Sequence, residues 1–399
     1  MRLLLAIVIL AVVALVGARL TQLRPRLPLG LREILLTGHE YIFLGVLLGG
    51  VGLDVLDVDT LKQLEPAMLF TLSWVGFLFG LQFEVRALRE LRRYYFIIAT
   101  FQAVLTFAVV AAACYVLMQR LAIGDPALHL SAAMVLGSAA CCTAPSALAL
   151  VVRTRTCENN KLVALLRYIS GVDGLYGLLF FALAIAVFPT AGAVELDLVQ
   201  SLKWLFVTLF AGAVPALVLA SLNRMRFTPQ ELLVFLIGTV MFCAGLAALT
   251  SRAPLVTGMV CGVITANYCR HRMRALTVVA HAERSFYVIL LLLIGASWTF
   301  HLDYAFALLL VYFLVRMAGK LVGAYTSTRL FQLEYDAPIT WGLGLIPEGG
   351  LAIALIFSFS LVHHGPLVDA IFTVIVFSVL ISELLGPRLV QHVLRTKGG

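Results

Sequence analysis

The sequence predicts an all-α polytopic membrane protein with about thirteen transmembrane helices. Hydrophobic residues make up 62% of its 399 residues, charged residues only 13%, and the mean hydropathy is +1.02. The apolar residues form long runs, and a helix needs about 20 of them to cross a bilayer. The net charge is +8, but the basic residues lie in short loops, which indicates membrane topology rather than a nucleic-acid surface.

The apolar runs divide the chain into candidate spans that are joined by short polar loops. The ninth span is shorter than the others and begins at a proline, Pro254. No polar stretch between the spans is long enough for a separate soluble domain. The predicted spans are 2–18, 32–53, 66–83, 94–118, 127–152, 162–187, 199–221, 231–250, 254–267, 284–300, 304–327, 339–362 and 367–386.

Basic residues predict how the chain is oriented in an inner or plasma membrane. Most loop arginines and lysines lie in the odd-numbered loops, which the positive-inside rule places in the cytoplasm. The N-terminus is then outside and the C-terminus cytoplasmic. The first run could be a signal peptide, but its cleavage would leave Arg24 and Arg26 outside, so we interpret it as a retained helix. The even-numbered loops carry only Lys62, Arg120, Lys203 and Arg252.

Few charged side chains fall near the middle of a predicted span. Asp173 is central in span six, within ISGVDGLYG, and Arg316 is central in span eleven. Lys320 follows Arg316 by one helical turn on the same face. A central charge costs about 2.5–3.5 kcal/mol on insertion scales, so each requires a reason. Asp173 and Arg316 could form a purely structural ion pair. Alternatively, Asp173 could bind either a proton or a small cation, but not both.

Two proline-containing interruptions lie in corresponding halves of the chain. Proline removes a helical hydrogen bond and glycine weakens the helix further, so both segments are expected to be non-helical at membrane depth. Such paired interruptions indicate a secondary transporter built on an inverted repeat, in which irregular backbone lines a cavity. The interrupting residues are Thr143, Ala144 and Pro145 in span five, and Pro347, Glu348, Gly349 and Gly350 in span twelve.

These features predict a monovalent-cation and proton site formed by Asp173, Ser170 and Thr143. Arg316 is favoured as the cation that faces Asp173 or the broken helices, because it is nearer mid-span than Lys320 and its guanidinium can hold several carbonyls. Lys320 remains the alternative. The interrupting residues, including Glu348, are expected to surround this site.

The motifs, in order, resemble the monovalent cation/proton antiporter superfamily, which includes sodium/proton exchangers and Kef-type potassium/proton proteins. The resemblance covers nearly the whole chain. The segments that carry it are LFTLSWVGFLFGLQFEVRALR, SAACCTAPSALALVV, LRYISGVDGLYGLLFF, RAPLVTGMVCGVITANYCRHR, HAERSFYVILLLLIGASW, FLVRMAGKLVGAY and LGLIPEGGLAIAL.

The resemblance implies an NhaA-type inverted repeat with two crossed unwound helices. Residues 1–190 would form the first repeat of six helices, 191–230 the linker helix and 231–399 the second repeat. Spans one to three and eight to ten would form the dimer domain of a homodimer in membrane lipid. Spans four to six and eleven to thirteen would form a core that moves like an elevator.

The predicted function is exchange of Na⁺ or K⁺ for H⁺, with these ions as substrates and without a cofactor. Because Val172 stands where relatives carry a second polar or acidic residue, the exchange is expected to be electroneutral. Val172 and Ala144 also favour an alternative, a non-transporting membrane sensor or partner subunit. A channel-like cation leak or an ion-coupled organic-anion symporter is a third interpretation. The sequence shows no enzymatic constellation or nucleic-acid partner, and a separate regulatory protein is left open.

Overall fold

The computed structural model describes residues 2–20, 29–85, 93–154, 161–187, 198–222, 228–250, 252–269, 272–300, 304–331 and 339–395. Regular structure in these ranges is helical, apart from an isolated β-bridge between Gly49 and Leu56. The helices before the middle of the chain are α1 (Arg2–Leu20), α2 (Leu29–Thr37), α3 (Glu40–Leu48), α4 (Val58–Gln63), α5 (Glu65–Leu81), α6 (Arg93–Leu121), α7 (His129–Cys141), α8 (Pro145–Thr154) and α9 (Lys161–Val187).

The later helices continue the same pattern of long apolar segments. A 3₁₀ segment at Ile339–Leu345 precedes one of them, and a shorter one at Pro126–Leu128 precedes α7. These later helices are α10 (Leu198–Leu222), α11 (Pro229–Leu249), α12 (Pro254–Tyr268), α13 (Arg272–Ala296), α14 (Ala305–Phe331), α15 (Gly350–Ser360) and α16 (Pro366–Arg395).

Seven helical segments within the described ranges are long and apolar enough to cross a membrane. They are Tyr94–Leu121, Pro126–Arg153, Lys161–Ala186, Ser201–Ser221, Gln230–Leu249, Ala305–Phe331 and Pro366–Arg395. Shorter apolar helices occupy several other predicted spans. The count of about thirteen spans therefore stays a prediction.

The boundaries of several predicted spans also differ. The second predicted span contains both α2 and α3, which separate at Gly38, where φ is +87° and glycine is strongly favoured. Helix α13 begins at Arg272 rather than near residue 284. Helix α16 continues through Pro387 to Arg395 rather than ending near residue 386. In both helices the polar ends extend beyond the apolar run that hydropathy detects.

Glycines allow α5 and α12 to pack with their backbones in close contact. A Cβ atom on Gly76 would lie 2.0 Å from the carbonyl oxygen of Leu255, and one on Gly258 would lie 2.0 Å from that of Ser73. Gly80 and Gly262 make the equivalent approach one turn further along. Small residues at helix interfaces are the common means of close packing in membranes, where hydrophobicity alone does not drive association.

The helices form two groups that meet around a cavity. We define the site bundle as α6–α9 and α14–α16, in which α7 packs against α6, α9 and α15, and α14 packs against α6 and α16. We define the flanking bundle as α1–α5 and α10–α13. Helix α2 of the flanking bundle packs against α8 and α16, while α5 and α12 contact α15. These contacts bring the charged residues of the site bundle beside the boundary between the two groups.

Candidate ion-binding site

Two non-helical segments meet inside the site bundle. Helix α7 ends at Cys141, and α8 begins at Pro145, which needs no hydrogen-bond partner at the start of a helix. Residues 346–349 separate the 3₁₀ segment from α15. The backbone N–H of Ala144 donates a 2.8 Å hydrogen bond to the carbonyl of Pro347, and a Cβ on Gly349 would lie 3.1 Å from that of Ala144. The two segments are therefore in direct contact.

Asp173 projects from α9 towards the first of these segments and is completely buried. Its Oδ2 atom accepts hydrogen bonds from Thr143 Oγ1 at 2.6 Å and from Lys320 Nζ at 2.7 Å. Its Oδ1 atom has no hydrogen-bond partner among the described residues. A buried carboxylate requires compensation, which the Lys320 ammonium supplies at one oxygen only.

Lys320 places its ammonium group where three acceptors converge. Besides Asp173, Nζ donates to the carbonyl of Cys141 at 2.8 Å and to Thr143 Oγ1 at 3.0 Å. An ammonium group carries three N–H donors, so these three acceptors match its capacity. The pairing of Asp173 with Arg316 that the sequence suggested as a structural alternative is not formed, because Lys320 takes that position.

Arg316 lies one turn before Lys320 on α14 and holds the two non-helical segments together. Its Nε donates to the carbonyl of Ala140 at 3.1 Å and Nη2 to that of Cys142 at 2.9 Å. Its Nη1 donates to the carbonyl of Ile346 at 2.6 Å, on the other segment. The planar fork of a guanidinium suits such divergent acceptors better than a single ammonium does.

Glu348 is the second deeply buried acid, and its side chain has partners on both oxygens. Tyr312 donates to Oε1 and Ser378 donates to Oε2, each at 2.7 Å, and Nε of Arg316 lies 3.8 Å from Oε2. The backbone N–H of Glu348 also donates to Ser382 Oγ at 3.1 Å. These bonds indicate a structural carboxylate that positions the second segment, since each oxygen of its side chain already accepts a hydrogen bond.

A cavity of about 440 Å³ lies between the site bundle and the flanking bundle. Thr143, Ser170 and Gly174 form part of its wall, so the surroundings of Asp173 reach the cavity. The hydroxyl of Ser170 donates to the carbonyl of Arg167 on its own helix at 3.1 Å. Ser170 therefore lines the approach, whereas Thr143 contacts Asp173 directly.

The structure thus brings together Asp173, Thr143, Lys320, Arg316 and the two interrupted segments. Sequence reasoning did not identify Tyr312, Ser378 and Ser382, which hold Glu348. Tyr312 could have been found, because it precedes Arg316 by four residues and so shares a helical face with it. Ser378 and Ser382 follow the same spacing on α16, but serine is common in apolar helices and gives a weak signal.

The polar atoms gathered around Asp173 are mainly oxygen atoms. Within the described ranges, no group of three or more His, Cys, Asp or Glu side chains could hold a metal ion. The carboxylate of Asp173, the hydroxyl of Thr143 and the carbonyl of Leu345 are oxygen atoms, the donor type that hard cations prefer. Asp173 lies 2.7 Å from Lys320, and Glu348 lies 3.8 Å from Arg316, so each buried acid has a basic partner.

Comparison with known proteins gives a family match over nearly the whole chain. The family described as "Sodium/hydrogen exchanger, transmembrane" matches residues 11–392. The sodium proton antiporter MjNhaP1 from Methanocaldococcus jannaschii, solved at pH 8, has a similar structure, with a TM-score of 0.66 and 15% sequence identity. That similarity covers 99% of this chain and 100% of the other, and shows a shared fold. No curated protein sequence matches the chain.

Proposed function

The chain belongs to the sodium/hydrogen exchanger family, and we propose that it exchanges Na⁺ or K⁺ for H⁺ at Asp173. The observation that carries this proposal is the half-compensated carboxylate: Lys320 binds Oδ2, while Oδ1 has no partner among the described residues. Thr143 contacts Asp173 and also lines the cavity. An ion in the cavity would therefore reach these oxygen atoms through a segment that is already non-helical.

Competition between the Lys320 ammonium and a metal cation couples the two ions. A cation that binds Asp173 replaces the positive charge that Lys320 now supplies. A desolvated lysine can release its proton, whereas an arginine cannot, so Lys320 becomes neutral and one proton leaves. Binding a proton again restores the ammonium and displaces the cation. Each ion is thus bound only when the other has left, which is the requirement for exchange rather than leak.

Alternating access would follow from movement of the site bundle as a unit. Arg316 of α14 donates to carbonyls of α7 and of the second non-helical segment, and Lys320 donates to Asp173 of α9. These bonds support a rigid site. The close glycine contacts of α5 and α12 support a rigid flanking bundle. We assign 1–190 and 231–399 to inverted repeats with 191–230 as linker helix. We assign the elevator motion to the site bundle, and homodimer contacts to spans one to three and eight to ten.

Substitution of the central carboxylate tests the proposed function. We expect Asp173→Asn to abolish cation-dependent proton flux in proteoliposomes, because a neutral amide provides no negative charge for which the Lys320 ammonium and a metal cation could compete. The measurement is the change in internal pH after addition of Na⁺, K⁺ or Li⁺. Asp59→Asn is the matched control, since Asp59 is an exposed acid whose ion pair among the described residues is with exposed Lys62, three residues away.

The control should retain wild-type flux, and both variants should elute as folded protein. Wild-type flux in Asp173→Asn would refute the assignment of the site. A wild-type protein without flux for any of the three cations would instead favour the non-transporting sensor or partner subunit.

A further inference from the structure

A buried arginine that plays no part in the site around Asp173 lies between the end of α11 and the start of α12. This residue, Arg252, is only 3% exposed. It is one of the few basic residues of the even-numbered loops, which the charge distribution predicts to face the outside. The others, Lys62, Arg120 and Lys203, are exposed. Arginine is almost never fully buried without a partner, so the burial of Arg252 requires a reason.

The end of α11 accounts for only part of the hydrogen-bonding capacity of Arg252. Its backbone N–H donates to the carbonyl of Ala247 at 2.8 Å, and its Nε donates to the carbonyl of Thr250 at 2.9 Å. A cation that caps the last carbonyls of a helix is a common structural arrangement and explains these bonds. Nη1, however, is buried and has no hydrogen-bond partner among the described residues. No described acid forms an ion pair with Arg252 either.

Trp204 on α10 adds a second unpaired donor beside this guanidinium. The central carbon of the Arg252 guanidinium lies 4.0 Å from the centroid of the Trp204 ring, which is a cation–π contact. The indole Nε1 is buried and, within the described ranges, has no hydrogen-bond partner. A buried tryptophan usually finds an acceptor for this group. Two unpaired donors on one patch, one of them cationic, indicate that an anionic acceptor belongs there.

The surroundings of this pair favour a phospholipid as the source of the anion. Leu202 and Phe206 on α10 and Leu249 at the end of α11 are large apolar side chains that are exposed. In a chain that crosses a membrane, such side chains face lipid. Tryptophan and basic residues near the ends of spans are typical of the headgroup level. Lys203, next to Trp204 in the sequence, is also exposed and adds positive charge that attracts anionic headgroups.

We propose that Arg252 and Trp204 bind the phosphate of one phospholipid headgroup and thereby tie α10 to the connection between α11 and α12. The phosphate oxygens accept hydrogen bonds from Nη1 of Arg252 and Nε1 of Trp204. The phosphate also supplies the negative charge that Arg252 lacks among the described residues. Because the folded protein alone presents both donors, the bound lipid stabilises the flanking bundle. This site is independent of ion exchange at Asp173.

Native mass spectrometry of delipidated protein, in a detergent without phosphate, tests lipid binding directly. The probes are dioleoylphosphatidylglycerol, dioleoylglycerol, which has the same acyl chains without phosphate, and glycerol phosphate, which has no acyl chains. We expect the wild type to bind its first phosphatidylglycerol about tenfold more tightly than dioleoylglycerol or glycerol phosphate, because the site needs both phosphate and apolar contact.

Variants of the two donors separate their contributions. Arg252→Gln should weaken binding of the first phosphatidylglycerol about tenfold, because it removes a charge-assisted hydrogen bond. Trp204→Phe keeps an aromatic face but loses Nε1–H, and should weaken it about threefold. Arg120→Gln is the matched control, since it removes an exposed arginine from another even-numbered loop and should leave the affinity unchanged.

Equal affinity for phosphatidylglycerol in the wild type and Arg252→Gln would overturn the proposal. Equal binding of dioleoylglycerol and phosphatidylglycerol by the wild type would overturn it as well. Glycerol phosphate that binds as tightly as phosphatidylglycerol would assign the site to a soluble phosphate and refute the lipid.

Unfolding temperatures distinguish lipid binding from a purely structural role of Arg252. Without lipid, Arg252→Gln should unfold no earlier than the wild type, because it removes a buried charge that has no counter-charge. With phosphatidylglycerol, the wild type should gain about 3 °C more than Arg252→Gln. An Arg252→Gln protein that unfolds much earlier without lipid, and gains as much from lipid as the wild type does, would show that Arg252 only caps α11.

Discussion

Lys320 and Arg316 lie one helical turn apart on α14, and their side chains contact different groups. The compact ammonium of Lys320 fits the point where Asp173, Thr143 and a carbonyl converge. The wider fork of Arg316 reaches carbonyls on two different segments. The chemistry of each side chain matches its position, because a planar guanidinium reaches several carbonyls at once, whereas an ammonium is a compact point charge.

Removal of Arg316 should destabilise the protein more than removal of Lys320. Arg316→Ala leaves the carbonyls of Ala140, Cys142 and Ile346 and the nearby Glu348 without their cation, at a cost of about 3–5 kcal/mol. In Lys320→Ala, Asp173 can take up a proton and become neutral, which limits the loss. Thermal unfolding of the purified variants in detergent measures the ranking.

Arg316→Lys provides the conservative control, because it retains the charge but not the fork. Its unfolding temperature should lie between those of the wild type and Arg316→Ala. Equal unfolding temperatures for wild type and Arg316→Ala would contradict the role assigned to this guanidinium.

At the scale of elements, helix α14 presents Tyr312, Arg316 and Lys320 on one face at intervals of four residues. This spacing places all three side chains along the same side of the helix. They contact Glu348, the two segments and Asp173 respectively. A single rigid helix therefore sets the relative positions of both interrupted segments and the acidic residue.

The packing of α5 against α12 gives a prediction at the same scale. In Gly258→Ala, the new Cβ would lie 2.0 Å from the carbonyl oxygen of Ser73, so the helices must separate. We expect a loss of about 1–3 kcal/mol, as for other overpacked interiors. Thermal unfolding in detergent again provides the measurement.

Gly238→Ala on α11 is the matched control, because a Cβ there meets nothing within 4 Å. Alanine has the higher helix propensity, so this variant should be neutral or more stable by up to about 1 kcal/mol. If both variants unfold at the same temperature, the close contact of α5 and α12 is not important for stability.

For the whole molecule, the balance of buried charges predicts electroneutral exchange. Each side-chain oxygen of Glu348 accepts a hydrogen bond, from Tyr312 or Ser378, whereas Oδ1 of Asp173 accepts none among the described residues, so we assign the exchange of one proton for one cation to Asp173 and Lys320. We expect flux in proteoliposomes to be independent of a clamped membrane potential. Proton movement driven by voltage alone, without a cation gradient, would contradict this stoichiometry and indicate an additional coupled proton.

Much of this architecture could be predicted from the sequence because membrane insertion imposes strong constraints. The resemblance of the ordered motifs to cation/proton antiporters is confirmed by the family match over residues 11–392. The division of span two at Gly38 was missed, since a single Thr-Gly-His interruption does not change the mean hydropathy of the run. Boundaries near Arg272 and Arg395 were missed for the related reason that polar helical ends resemble loops.

The sequence by itself determined that the chain spans a membrane, that two segments interrupt their helices, and that Asp173 lies in an apolar run. Lipid penalises unpaired charges and backbone groups without hydrogen-bond partners. A charged residue, proline or glycine within an apolar run is therefore visible in the sequence alone. Only the tertiary structure decided that Lys320 rather than Arg316 binds Asp173, and that Arg252 stacks on Trp204. Those contacts depend on side-chain reach and helix packing between segments far apart in the chain, which local spacing does not specify.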